Sequence, residues 1–158
     1  MSVFNSREIA SHTIRQGAGR ATFLQEYFPD CSRYIEPLFG HIAGIEECIN
    51  GFDGHDLEYH EMCHGRALYP VLVPAGMSDY VLVRNPDTDN EAELPRWIAG
   101  LCVTIFLIDR MLGIHNSLGI NNESYASYLG MKDKMMSAAM AVSVLYQCED
   151  ELFWFTGW

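Results

Sequence analysis

The sequence predicts an α+β fold, a single compact domain in which a small antiparallel sheet of three or four strands is packed by α-helices. Three patterns predict it: a helical stripe of apolar residues over 32–49, strand-like segments over 55–84 of which the first alternates with period two, and an almost wholly apolar segment from Trp97 to Ile108. Helical patterns thus flank strand patterns, as in an α+β domain. A length of 158 residues with 49% hydrophobic side chains suits one domain.

The beginning of the chain is polar, and residues 1–22 are expected to form a loose arm or a short helix before the domain proper, 23–158. It has no apolar core typical of a signal peptide, so a cytoplasmic protein is expected. The first apolar anchor follows, and Pro29 stops or redirects the chain behind it. This anchor comprises Phe23, Leu24, Tyr27 and Phe28.

An amphipathic helix is predicted over Ser32–Ile49, with Pro37 near its start and Asn50-Gly51 at its end. Its apolar residues recur every three or four positions: Leu38, Ile42, Ile45 and Ile49. An antiparallel meander is expected next, with a tight turn at His64-Gly65. Its three strands are His55–Cys63, Arg66–Val73 and Tyr80–Arg84.

The second half of the chain is predicted to be helical after a polar loop, Asn85–Glu93. Pro95 suits the first turn of a helix that runs to about Leu112 and is closed by Gly113. Its apolar segment is shorter than the about 20 residues that span a membrane, so it indicates a buried helix. A helical extension follows, with Asn121 and Asn122 as candidate caps and Gly130 as a break between two helices. Its methionines are expected to fill the core: Met131, Met135, Met136 and Met140. The aromatic tail then either docks on the body or forms a binding patch.

The net charge of −11, from 21 acidic and 10 basic residues, disfavours direct binding to nucleic acid and suits a basic protein partner. Two acidic segments are the candidate contacts, although a solvated surface explains each of them as well. An EF-hand type of calcium loop is not indicated in the first, since its central glycine is missing. The segments contain Asp87, Asp89, Glu91 and Glu93, and Glu149, Asp150 and Glu151.

One cluster has the residue types of a metal or thiol site: His55, Glu58, His60, Glu61, Cys63 and His64. His60 and His64 would converge on a helix, but four residues along a strand span roughly 13 Å, so surface and turn histidines are expected. Cys63 has no nucleophile elbow around it. We therefore expect no catalytic residue, metal or cofactor, and an odd set of reduced, mostly buried thiols: Cys31, Cys48, Cys63, Cys102 and Cys148.

Two stretches resemble the ArdB/KlcA antirestriction family. The first contains Gly51, then Leu57-Glu58-Tyr59-His60-Glu61-Met62, Gly65 and Tyr69; the second contains Glu93-Leu94, Gly100, Thr104 and Phe106. With the Phe23-Leu24 to Phe28-Pro29 segment, the likeness covers residues 23–113. The chain departs from the family pattern at Leu57, where Trp is usual, at His64 and Arg66, and from about Ile114 onward.

The resemblance implies a cytoplasmic protein of plasmids, phages or genomic islands that protects incoming DNA from type I restriction–modification enzymes. It implies no catalytic site and no cofactor, and structural roles for Gly65, Tyr69 and Gly100 in a turn, a sheet contact and a close helix approach. We expect inhibition by protein–protein binding, by a monomer or weak homodimer without membrane contact. The alternatives are an inhibitor or regulator of another nuclease or defence complex, and a hydrolase using Cys63 and His60.

Overall fold

The computed structural model describes residues 9–14, 17–54, 56–119 and 123–158, the first range as backbone alone. It has the α+β architecture predicted from the sequence, with two small antiparallel sheets packed by helices and a helical carboxy-terminal part. The helices are α1 (Ala18–Tyr27), α2 (Ser32–Gly40), a π-helical turn (His41–Ile45), α3 (Arg96–Ser117), α4 (Glu123–Leu145) and α5 (Glu149–Thr156). The strands are β1 (Ile9–Ile14), β2 (Leu57–His64), β3 (Ala67–Pro74), β4 (Tyr80–Arg84) and β5 (Glu91–Pro95).

The first sheet has the order β1-β2-β3, with both strand pairs antiparallel. The hairpin β2–β3 matches the predicted strands, and Gly65 lies in its turn with a φ of 64°. β1 was not expected, because residues 1–22 were predicted as an arm or a short helix. Its register opposes Ile14 to Tyr59, so the strand forms by pairing with β2, about 45 residues downstream, which no local pattern encodes.

The second sheet contains β4 and β5, which corrects two predictions. β4 does not continue the meander of β2 and β3. The polar loop expected over Asn85–Glu93 ends at Asn90, and β5 begins at the next residue, Glu91. The other edge of β4 is occupied by residues 48–50, because Asn50 N donates to Leu82 O (2.9 Å) and Arg84 N donates to Cys48 O (2.9 Å). These bonds fix β4 away from β3 and leave its remaining edge to β5.

The helix predicted over Ser32–Ile49 is shorter than expected. α2 passes into the π-helical turn, which ends at Ile45, and Glu47 adopts a positive φ of 58° before the Asn50-Gly51 pair is reached. The wider turn rotates the apolar stripe, so that Ile42 is buried whereas Ile45 is 75% exposed. The helix therefore ends on tertiary contacts of residues 46–50 with β4, not on the predicted turn residues.

α3 is the central helix and lies against β3. Thr104 Oγ1 accepts a hydrogen bond from Leu72 N (3.1 Å) and donates to Gly100 O (2.7 Å). A Cβ atom on Gly100 would lie only 2.4 Å from Leu72 O, so the glycine allows the helix to approach the strand backbone closely. By length and composition α3 would suffice to cross a membrane, but 67% of its apolar window is buried inside the domain.

The later helices run through both glycines that were predicted to interrupt them. α3 continues past Gly113 to Ser117, and α4 is unbroken at Gly130. A glycine in a helix costs roughly 1 kcal/mol relative to alanine, which is less than the stabilisation gained when a long helix buries an apolar face. Met135 is fully buried and Met131 and Met136 pack against the core, whereas Asn121 and Asn122 lie outside the described residues.

Candidate protein-binding surface

The acidic loop between β4 and β5 is organised by Asn85. Its side chain is buried, and its Oδ1 accepts hydrogen bonds from Asp87 N (2.8 Å) and Thr88 N (3.3 Å). Asn85 N donates to Asn90 O (2.9 Å) across the loop, and Asp89 adopts a φ of 61°. An asparagine that bonds to the backbone two residues ahead is a typical turn former, and here it leaves the Asp87 and Asp89 side chains exposed.

Two asparagine side chains connect this loop to the end of α5. Asn85 Nδ2 donates to Phe155 O (2.9 Å), and Asn90 Nδ2 donates to Trp154 O (3.0 Å). Carbonyl groups at the end of a helix have no partner within the helix, so both bonds satisfy otherwise free acceptors. α5 also packs along β5. The loop 85–90 and β5 are therefore direct neighbours of α5.

Six of the seven candidate contact residues are exposed, and Glu149 is half-buried. The exposed ones are Asp87, Asp89, Glu91, Glu93, Asp150 and Glu151. The three acids of α5 lie in its first turn, where the helix dipole stabilises negative charge. These residues define what we call the acidic face: the loop 85–90, β5 and the outer side of α5.

Cations near the acidic face are engaged in ion pairs. Arg84 pairs with Asp89 and donates to Glu46 O (2.6 Å). Arg110 forms a two-pronged pair with Glu46 at 2.6 and 2.8 Å, and its hydrogen bond is the main reason that the pKa of Glu46 is lowered. Arg84 therefore compensates the charge of one acid of the face, Asp89, whereas Arg110 is bound by Glu46, which lies outside the face.

The sequence left two alternatives for the aromatic tail, docking on the body or an exposed binding patch, and the structure shows part of each. Phe155 is buried, and its ring lies 5.7 Å from that of Phe106, which also contacts Trp158 at 6.0 Å. Phe153 and Trp154 face outward, 41% and 60% exposed. The tail therefore docks on the body with one side of α5 and presents two aromatic rings on the other.

The structure separates the Cys63 and histidine cluster. Alternation along β2 puts Cys63 on the face opposite to His60 and His64. His60 Nε2 lies 3.0 Å from Glu58 Oε1, and Cys63 Sγ contacts only Gly65 O (3.7 Å) among its described polar neighbours. Among the described residues, which do not include His55, no group of three His, Cys, Asp or Glu side chains has metal-binding geometry.

Glu58 instead forms an ion pair that links the first sheet to α3. Arg96 Nη1 donates to Glu58 Oε2 (3.0 Å) and to Pro74 O (2.8 Å). Burial raises the pKa of Glu58, but the hydrogen bonds from His60 and Arg96 together outweigh it, so the pKa is lowered. The motif glutamate therefore stabilises the junction between β2 and the start of α3.

The other residues that carry the family resemblance also have structural positions. Tyr59 and Tyr69 are buried in the first sheet, and Leu94 is buried in the second. Gly51 has a φ of 80°, a value that favours glycine. Gly100 and Thr104 set the contact of α3 with β3. These motif residues therefore have structural roles in the fold.

All five cysteines are free thiols. Burial raises the pKa of Cys48 to about 12 and that of Cys148 to about 11, and it raises the pKa of fully buried Cys102 well above the ordinary value. These groups are therefore protonated at neutral pH, which makes them poor nucleophiles.

The residues that the sequence interpretation missed are Asn85 and Asn90, which hold the acidic face together. The Asn85-Pro86-Asp87 run is a recognisable turn signal. Nothing in the local sequence indicates contact with α5, 70 and 64 residues later. Neither a protein-family model nor a curated protein sequence matches this chain.

Proposed function

We propose that this protein is a cytoplasmic inhibitor that binds a DNA-handling defence enzyme through the acidic face and does no chemistry itself. The partner proposed first is a type I restriction–modification enzyme. The observation that carries the proposal is the tethering of the loop 85–90 to α5 by Asn85 and Asn90, which makes the two acidic segments neighbours in the fold.

The charge of the protein supports a basic partner. A chain with a net charge of −11 repels nucleic acid and attracts proteins that bind it, because those proteins present positive surfaces. Four exposed acids lie in the loop and β5, and only Asp89 among them is paired with Arg84, so the acidic face keeps a net negative charge.

The arrangement favours ordinary protein–protein binding over imitation of DNA. A DNA mimic needs acids spaced like phosphates along an extended surface. Here the exposed acids are interrupted by apolar side chains, among them Leu82, which opposes Glu93 across the strand pair, and Trp154 on α5. The likeness of residues 23–113 to the ArdB/KlcA family supports the choice of partner.

The test is the plating efficiency of unmodified phage on cells with a type I restriction system, with and without this protein. Restored plating with host methylation intact is expected. Unchanged plating in the presence of soluble, folded protein contradicts the proposal. A pull-down from a host that lacks type I systems then identifies binding to another defence complex, the alternative partner class.

A matched pair of variants assigns the effect to the acidic face. Asp87→Asn with Glu93→Gln removes two exposed charges from it, whereas Glu26→Gln with Glu123→Gln removes two exposed charges from α1 and the start of α4. We expect the first pair to weaken binding to the purified enzyme at least about twofold, since exposed ion pairs contribute about 0.2–1 kcal/mol each, and the second to leave it unchanged. Equal effects of both pairs contradict a localised site.

A further inference from the structure

The outer side of α5 combines acidic and aromatic side chains in one helical turn. Its exposed positions are Asp150, Glu151, Phe153 and Trp154, whereas Leu152 and Phe155 are buried beneath them. Side chains three and four positions apart are neighbours on a helix surface, so both carboxylates lie one turn from the Trp154 ring. Trp154 is 60% exposed, which is an unusual position for a side chain with so much apolar area.

Trp154 also lies where α5 meets the rest of the acidic face. Its carbonyl oxygen accepts the hydrogen bond from Asn90, beside the exposed acids of the loop. The backbone of Trp154 is therefore bonded to the loop 85–90, and its side chain lies one helical turn from Asp150 and Glu151. A cation attracted to these carboxylates is brought close to the aromatic ring.

We propose that this turn of α5 is a subsite for an arginine side chain of the basic partner. A guanidinium group stacks on an indole face and at the same time donates planar hydrogen bonds to a carboxylate. An ammonium group is a more strongly hydrated point charge that lacks the planar stacking surface. The inference rests on the proposed function and deepens it by naming the partner side chain.

The experiment measures binding of fluorescently labelled octa-arginine and octa-lysine to the full chain at equal pH and salt concentration. The two peptides carry the same charge, so long-range attraction to the acidic face is matched between them. We expect wild-type protein to bind octa-arginine about threefold more tightly, as an exposed cation–π contact of 0.5–1 kcal/mol implies.

Substitutions at Trp154 and at a second exposed aromatic residue complete the test. Trp154→Leu keeps apolar area without the π face and is expected to remove the arginine preference, whereas Trp154→Phe is expected to retain part of it. Tyr34→Leu on α2 is the matched control, since Tyr34 is 56% exposed and outside the acidic face. Circular dichroism and melting temperature establish that each variant is folded.

Equal affinity of the wild-type protein for the two peptides overturns the subsite, and so does an arginine preference that survives Trp154→Leu. Neither result depends on restriction enzymes, so the subsite and the proposed function fail separately. A plating assay without protection contradicts the antirestriction function and leaves the peptide preference intact.

Discussion

Asn85 and Phe155, 70 positions apart, are joined by a hydrogen bond of 2.9 Å from the asparagine Nδ2 to the backbone carbonyl of Phe155. The same asparagine closes its own turn through Oδ1, which accepts from Asp87 N. One buried side chain thus shapes the acidic loop and anchors α5 beside it.

Asn85→Ala is expected to lower the free energy of unfolding by about 2–3 kcal/mol. The substitution leaves Phe155 O and Asp87 N without their partners, and an unsatisfied buried group costs about 1–3 kcal/mol. Urea unfolding measures the loss, and hydrogen exchange of α5 should increase with it. Asn90→Ala is the control, with a loss of about 1 kcal/mol or less, because its bond to Trp154 O is exposed. Equal losses would show that Asn85 has no special role.

Gly100→Ala is expected to destabilise the protein by several kcal/mol. The new Cβ would lie 2.4 Å from Leu72 O and 3.0 Å from Val73 Cα, both backbone atoms of β3, so the helix and strand must separate. Separation also stretches the bond from Leu72 N to Thr104 Oγ1. Thermal or urea unfolding measures the effect.

Gly113→Ala is the matched substitution in the same helix, with the opposite expected sign. Nothing lies within 4 Å of a Cβ at this position, and its backbone is helical. Alanine should therefore stabilise the protein by about 0.5–1 kcal/mol, the difference in helix propensity. Destabilisation by both substitutions would contradict the specific contact assigned to Gly100.

The pair of Glu46 and Arg110 is expected to make stability depend on acid pH. The hydrogen bond from Arg110, the largest influence, lowers the pKa of Glu46, while burial opposes it. A carboxyl whose pKa is lowered on folding contributes stability above the pKa of the unfolded chain, about 4.3, and loses it as pH falls through the folded value. The contribution is therefore present at neutral pH and is lost in acid, as pH falls below the unfolded value and through the lowered pKa of folded Glu46.

Glu46→Gln tests this through unfolding free energies at several pH values. We expect a loss of about 1 kcal/mol at pH 7, since both partners are partly solvated, and a loss that shrinks as pH falls through the lowered pKa of Glu46, where the wild-type carboxyl also becomes neutral. Glu123→Gln, at an exposed position, is the control. A loss independent of pH would show that shape, not charge, explains the effect.

Much of the fold could be predicted from local patterns. The predicted His55–Cys63, Arg66–Val73 and Tyr80–Arg84 lie close to β2, β3 and β4, and the helix after Pro95 begins at Arg96. β1 and β5 were missed, since each is short and forms by pairing with a distant or preceding strand. Helix ends were missed for a similar reason: burial against neighbours outweighs the cost of Gly113 and Gly130 within α3 and α4.

The candidate site was predictable in composition and not in arrangement. The acidic residues could be identified from the sequence, because Asp and Glu side chains are usually exposed. The two acidic segments are neighbours because the side-chain amides of Asn85 and Asn90 donate hydrogen bonds to backbone carbonyls of α5. These contacts join segments that are far apart in the chain. The division of the aromatic tail into buried Phe155 and exposed Trp154 likewise depends on how α5 rests on β5.

Cys63→Ala is expected to leave inhibition unchanged. Cys63 lies on the face of β2 opposite to His60, and His60 is held by Glu58, so the histidine is not placed to take a proton from the thiol. The substitution should preserve melting temperature, plating efficiency and enzyme binding, because Cys63 is only partly buried. His60→Gln is the companion variant, expected to lower stability through its lost contact with Glu58 without abolishing binding of folded protein. If either variant folds normally and loses protection while still binding the partner, the protein acts through thiol or histidine chemistry, and inhibition by binding alone is wrong.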